Sequence, residues 1–191
     1  ERYTITVDEM VEETGERRMA CTFCGVLRRR ALDILAKEAD VDIVLTGHNA
    51  DDISQTVLLN IIQGNITHLL ERVDLPETIP KERPLRNILE RETTLYAYLK
   101  GIDYYSGPCP YTPYALRNDI RNFIASLETY HPGATYSIIR SAEKLRALAE
   151  GAKKKKMMKC SRCGYPSLGK ICKACQILER FHRSVKPVPE G

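Results

Sequence analysis

The sequence predicts an α/β body with a parallel sheet flanked by helices, followed by a small C-terminal cysteine module. Three observations point this way. The apolar run VDIVLTG at 41–47 lies between two segments of helical periodicity, the pattern of a strand within an α/β layer. Two Cys-x-x-Cys pairs stand eight residues apart near the C-terminus. Charge is divided as well: residues 140–191 carry 14 Lys and Arg against 4 Asp and Glu, and residues 1–139 carry 15 against 21. The expected organisation is a body over 1–150, a basic linker over 151–159, and a metal-binding module with its tail over 160–191.

VLRRRALDILAKEA at 26–39 reads as a helix, because Leu27, Ala31, Ile34 and Leu35 recur at helical spacing. VDIVLTG then reads as a buried strand ending at Gly47. DDISQTVLLNIIQG at 51–64 is the next helix, with Ile53, Val57, Leu58, Ile61 and Ile62 on one apolar face and Gly64 as its C-cap. The proline-punctuated LPETIPKERPLR at 75–86 is a connector. ILERETTLYAYLKG at 88–101 is helical, and IDYYSGPCPYTP at 102–113 gives a strand-like piece and a Pro/Gly loop holding Cys109. YALRNDIRNFIASLETYHPG at 114–133 is helical, with Ile120, Phe123, Ile124 and Leu127 on one face. Arg117 and Arg121 stand one turn apart on another face, either as a phosphate-contacting edge or as solvated charge. SAEKLRALAEGAKKKKMMK at 141–159 leads out of the body.

At 43% hydrophobic residues the chain can bury a core, which argues against wholesale disorder. No apolar stretch is long enough to span a membrane, and no secretory leader pattern opens the sequence. The first residue is Glu1 rather than Met, so a longer parent protein is expected. A basic tail on an acidic body suggests a polyanionic partner; for Lys153–Lys156 a solvated linker explains the charge equally well.

The seven cysteines divide by spacing. Cys160, Cys163, Cys172 and Cys175 form two tight knuckles, whose four thiolates can close a tetrahedron around zinc. Gly164 allows the first knuckle to bend back. Such a site has no open coordination position and is structural; the alternative is four free thiols. Cys21, Cys24 and Cys109 remain. Three thiolates suit a cubane iron–sulfur cluster with one iron left open, while Cys21 and Cys24 alone suit a redox pair. TGHNADD at 46–52 falls where a strand ends and a helix begins, the position where open α/β sheets bind ligands. There Asp51 and Asp52 either cap the helix or face a nucleotide, its magnesium or a reacting base. His48 is as readily a hydrogen-bonded structural histidine.

Taken together, CTFCGVLRRRALD, TGHNADD, GPCPY, LRNDIRNFI and the terminal double knuckle resemble the ATP-dependent tRNA 2-thiouridine synthetases. The wording is closest to the archaeal and eukaryotic wobble-uridine branch, the cytosolic thiouridylase catalytic subunit. The resemblance covers nearly the whole chain. It implies a nucleotide alpha-hydrolase (PP-loop ATPase-like) fold, here partial, with a helical tRNA-facing region and a C-terminal zinc ribbon. It implies that ATP adenylates the uridine C2 oxygen and that sulfur then displaces AMP. Cys21, Cys24 and Cys109 match the family's 4Fe–4S ligands, and Asp52 matches a carboxylate near the reaction centre. Arg28 falls where some relatives carry a lysine. The implied cofactors are a 4Fe–4S cluster, Zn, ATP and Mg. The implied partners are tRNA and a sulfur donor, either sulfide or a ubiquitin-like thiocarboxylate protein, with a homodimer or heterodimer as the assembly and the cytoplasm as the location. The family's Ser-Gly-Gly-x-Asp-Ser nucleotide loop and its N-terminal zinc knuckles are absent from the 191 residues. Either further sequence precedes Glu1, or the chain is a fragment that does not catalyse alone.

Two other classes compete on the residues. A non-enzymatic zinc-ribbon nucleic-acid-binding protein would use the terminal knuckles and basic tail, but leaves Cys109 and GHNADD without purpose. A dithiol oxidoreductase would use Cys21 and Cys24.

Overall fold

The structure is a computed structural model that describes residues 3–70, 79–149 and 158–183. In chain order the elements are α1 (Val7–Thr14), α2 (Ala20–Glu38), β1 (Val44–Leu45), α3 (Ala50–Ile62), α4 (Ile66–Leu70), β2 (Lys81–Glu82), α5 (Glu90–Lys100), α6 (Leu116–Tyr130), α7 (Ala134–Leu148), β3 (Met158–Lys159), β4 (Pro166–Ser167) and α8 (Lys173–Arg180). They form two compact units: Glu1–Val44 with Asp74–Pro80 and Lys153–Gly191, and Leu45–Val73 with Lys81–Ala152. Among the described residues no helix is long and apolar enough to cross a membrane.

In the first unit, α1 starts at a reciprocal capping box. The Thr6 hydroxyl accepts the Glu9 N–H, and the Glu9 carboxylate accepts the Thr6 N–H, so two otherwise orphaned donors are satisfied at once. Helix α2 buries Phe23, Leu27, Arg30, Asp33 and Ile34, a stripe at the three- and four-residue spacing of one helical face. Helix α8 packs on this face. Its amphipathic sequence buries Ile177 and Leu178, and Phe181 just beyond it meets Phe23 edge-to-face at 5.6 Å, a favoured aromatic geometry. Met10, Leu27 and the four C-terminal cysteines complete one apolar cluster.

In the second unit, α3 lies against α6 and α7, and α4 joins α3 and α7. Ala50, Leu89 and Ile139 form one buried cluster, and Val57, Leu69 and Ala142 another. Gly64, with φ +66°, turns the chain just after α3, one residue past the C-cap Gln63, which is where a left-handed glycine is favoured.

Strands β1 and β2 pair. The Val44 N–H donates to Pro80 O and the Thr46 N–H to Glu82 O; the partner advances in the same direction, so the pair is parallel. The buried seven-residue strand expected over 41–47 is corrected. Only Val44–Leu45 is strand, and Val41, Ile43 and Leu45 are exposed. A parallel strand is buried only with neighbours at its edges and helices on both faces, and among the described residues β1 has one partner strand. The strand-like piece expected after α5 contains no strand among the described residues. Phe123, Ile61, Ile62 and Leu35, expected on apolar faces, are also exposed. Helix α5 buries none of its residues and presents Leu95, Tyr96, Tyr98 and Leu99. Lys153–Lys156 lie outside the described residues.

Candidate functional site

The four C-terminal cysteines converge. Their sulfur atoms all lie within 4.8 Å of one another, and all four residues are buried. Local structure explains the convergence. Strands β3 and β4 pair antiparallel, Met158 opposite Ser167 and Lys159 opposite Pro166. Gly164 adopts φ +71° and its N–H donates to Cys160 O, while the Cys160 N–H donates to Tyr165 O. That tight return places Cys160 and Cys163 side by side. Cys172 is the N-cap of α8 and Cys175 sits in its first turn, so the second pair is presented from a helix start.

Cys160 Sγ is 3.9 Å from Cys175 Sγ, and Cys163 Sγ is 3.7 Å from Cys172 Sγ. Metal–sulfur bonds of about 2.3 Å in a tetrahedron give a sulfur–sulfur edge of about 3.8 Å, so the donor set fits a single tetrahedral ion. Backbone N–H groups of Arg162 and Cys172 donate to Cys160 Sγ at 3.5 and 3.2 Å. Burial works to raise the Cys160 thiol, but these amides outweigh it and lower the thiol to about 6. Cys175 and Cys172 are pushed up, first by burial and then by the neighbouring sulfurs. A bound cation relieves both effects, because each sulfur then binds as thiolate.

Side chains of α2 support this centre. Arg30 is 3% exposed. Its guanidinium lies 4.0 Å from the Tyr165 ring centre and donates weakly to Cys163 Sγ at 3.8 Å. The Tyr165 hydroxyl donates to Asp33 Oδ2; burial, then that carboxylate, raises the phenol. Arg28 and Arg29 are exposed. Cys21 and Cys24 lie one turn apart near the start of α2, both exposed. Cys109 is exposed in the loop after α5, in the second unit.

The 46–52 loop enters α3 through a second capping box. The N-cap is Asn49: its side-chain oxygen accepts the Asp52 N–H at 3.0 Å, and Asp52 Oδ2 accepts the Asn49 N–H at 3.2 Å. Asp51 Oδ2 accepts the Glu90 N–H at 2.6 Å and so caps α5. His48 Nδ1 lies 2.9 Å from Thr46 Oγ1. Sequence reasoning passed over Asn49, although Asn49 and Asp52 carry the spacing of a capping box. Arg117 and Arg121 both have protein partners: Arg117 donates to Gln55 Oε1 and Thr56 Oγ1, and Arg121 pairs with Glu90 at 3.3 Å.

Comparisons with known proteins agree on one family. Residues 6–128 match the family model described as PP-loop domain. Cytoplasmic tRNA 2-thiolation protein 1 of Danio rerio is 41% identical over 197 residues, covering 100% of this chain and 57% of the relative. The protein of the same name from Arabidopsis thaliana is 43% identical over 193 residues, covering 99% and 54%. A solved structure, the U34-tRNA thiolase NcsA from Methanococcus maripaludis with its 4Fe–4S cluster, superposes with a TM-score of 0.74 at 30% identity, covering 89% of this chain and 55% of that one. The chain thus spans about half the length of the curated relatives it matches.

Proposed function

The chain belongs to the PP-loop family, and from that premise we propose that it is part of a cytoplasmic tRNA-uridine 2-sulfurtransferase that acts at C2 of the wobble uridine. The observation that carries this reading is the match of the whole chain, at 41% and 43% identity, to proteins named for tRNA 2-thiolation. The non-enzymatic zinc-ribbon alternative gains no support, since it leaves the GHNADD loop and Cys109 unused.

In this reading ATP, with Mg, adenylates the uridine C2 oxygen with release of pyrophosphate, and sulfur at the sulfide level then displaces AMP. Asp52 serves near the reacting atoms. Its Oδ2 accepts the Asn49 N–H. Cys21, Cys24 and Cys109 would hold a 4Fe–4S cluster, which when bound supplies an iron open to a sulfur atom. All three thiols are exposed, and Cys21 and Cys24 stand one turn apart near the start of α2. Cys160, Cys163, Cys172 and Cys175 would hold Zn as a closed structural centre. tRNA would be met through phosphate contacts from the basic C-terminal region. The sulfur donor is sulfide or a ubiquitin-like thiocarboxylate protein, and the assembly is a homodimer or heterodimer. The division into a body over 1–150, a linker over 151–159 and a metal module over 160–191 is kept as a functional one.

The test uses the full-length parent protein purified without oxygen. Iron content, zinc content and single-turnover tRNA thiolation are measured for the parent and for Cys21→Ala, Cys24→Ala and Cys109→Ala. Each variant is expected to lose iron and thiolation while keeping zinc. Full iron and activity in all three would remove the cluster from the proposal.

A further inference from the structure

Arg30 presents a physical problem. A guanidinium at 3% exposure has given up its hydration, and Nε has no hydrogen-bond partner among the described residues. Desolvating a cation costs several kcal/mol unless opposite charge compensates it. The groups described against the guanidinium are the Tyr165 ring, 4.0 Å from Cζ, and Cys163 Sγ, 3.8 Å from Nη2. As a neutral thiol, Cys163 is a weak acceptor. As one of four thiolates around a divalent cation, it belongs to a centre of net charge −2, and the same contact becomes an attraction between opposite charges.

The geometry ties this contact to the fold of the first unit. Arg30 and Asp33 are three residues apart on α2 and so share a face. They grip Tyr165 from two sides, Arg30 over the ring and Asp33 at the hydroxyl. Tyr165 in turn accepts the Cys160 N–H through its carbonyl oxygen at 2.8 Å. Asp33 is buried as well and reaches the module through the Tyr165 hydroxyl. Arg30 is the member of the pair that reaches a cysteine sulfur, Cys163 Sγ at 3.8 Å, and so meets the negative charge that a divalent cation held by four thiolates leaves on them.

We propose that Arg30 is the outer charge partner of the Cys160–Cys163–Cys172–Cys175 metal centre, coupling metal binding there to the docking of the cysteine module on α2. The inference rests on the reading of these four cysteines as a metal site. The coupling is reciprocal by linkage: the contact strengthens metal binding, and metal strengthens the hold of the module on the helix that begins with Cys21 and Cys24. Arg30 is a positioning residue in this scheme and touches no reacting atom.

The experiment titrates zinc against a chromophoric chelator in the full chain, in Arg30→Gln and in Arg30→Lys, and follows hydrogen exchange of the α2 amides with and without zinc. Outer partners of metal ligands typically contribute about 10–100-fold to metal affinity. Arg30→Gln is expected to weaken zinc by that order, Arg30→Lys to recover part of the loss, and zinc to slow α2 exchange more in the parent than in Arg30→Gln. A purely packing role would leave the zinc affinity of Arg30→Gln within about twofold of the parent and overturns the inference. Should Arg30→Gln not fold even with zinc, Arg30→Lys decides: affinity near the parent supports the charge role, and an equal failure overturns it. A parent chain that binds no zinc or iron at these cysteines removes the metal reading, and the inference with it.

Discussion

The two units of the chain close small cores by different chemistry. The first gathers α1, α2 and α8 around four buried sulfurs. The second packs α3, α4, α6 and α7 together and secures its helix starts with side-chain oxygens. Asp52 and Asn49 close the start of α3, Asp51 and Glu92 accept the N–H groups of Glu90 and Leu89 at α5, and Glu128 accepts those of Gly133 and Thr135 at α7. Among the described residues the first unit shows the Thr6–Glu9 box. In the proposed reading the first unit relies on the metal held by its four cysteines, and the second on its capping carboxylates. Chelation and mild acid should separate them.

The largest expected effect is at the sulfur centre. Structural zinc in small modules contributes about 10–16 kcal/mol of apparent binding free energy at neutral pH, as much as the net stability of a whole domain. From spacing alone, loss of a ligand such as Cys160 or Cys175 would unfold only the tail. Because the cysteines share a core with Met10, Phe23 and Leu27, Cys160→Ser is instead expected to abolish metal binding and the thermal transition of the whole first unit. Cys21→Ser, at an exposed position, should leave the melt unchanged within about 0.5 kcal/mol. Equal melting of Cys160→Ser and the parent, with metal lost, would break the comparison. Next in size, Phe181→Ala removes the ring that meets Phe23 and should cost about 3–5 kcal/mol, read by denaturant unfolding with saturating zinc.

How far the sequence revealed these sites follows from how local their determinants are. The convergence of the four cysteines was legible because they lie within sixteen residues and the spacing itself carries the geometry. Its docking was not, because the contacts of α8 and Tyr165 with α2 join residues more than a hundred positions apart. Arg30 shows the consequence: in a run of three arginines nothing local marks the buried one, and only Tyr165 and Cys163 distinguish it. The start of α7 was passed over for a related reason. Gly133 is its N-cap, at φ +93° with no side chain to cap with, and the acceptor is supplied by Glu128 from the preceding helix. Strand β1 failed differently. Its apolar sequence was read as burial, but an apolar run is buried only where neighbours cover it.

Asp52 tests whether the capping devices of the second unit also serve chemistry. At the N3 position of this box an Asn side chain can still accept the Asn49 N–H, but the charge is lost from the first turn of α3. Asp52→Asn in the full-length protein is therefore expected to cost about 0.3–1 kcal/mol of stability. If the carboxylate acts near the reacting atoms, single-turnover thiolation should fall by about 10²–10⁴-fold with tRNA binding unchanged. A rate within a few-fold of the parent would return Asp52 to capping alone.

The smallest effect is at Glu128, and it sharpens the acid side of the comparison. Burial pushes this carboxyl up, but the N–H groups of Thr135 and Gly133 outweigh that and hold it below the ordinary value of 4.5. A folded-state value below the unfolded one means that stability is fully present above about pH 4.5 and is lost as pH falls through the lowered value. Replacing the carboxylate by Glu128→Gln keeps an acceptor oxygen but removes its charge from the N-terminus of α7. The expected cost is about 0.3–1 kcal/mol at neutral pH, seen in the transition of the second unit. That cost should shrink as the pH falls through that lowered value, because the parent carboxyl is then protonated too. Metal content and the melting of the first unit should not respond to Glu128→Gln at pH 7. A cost independent of pH would mean that the oxygen alone, without its charge, holds the start of α7.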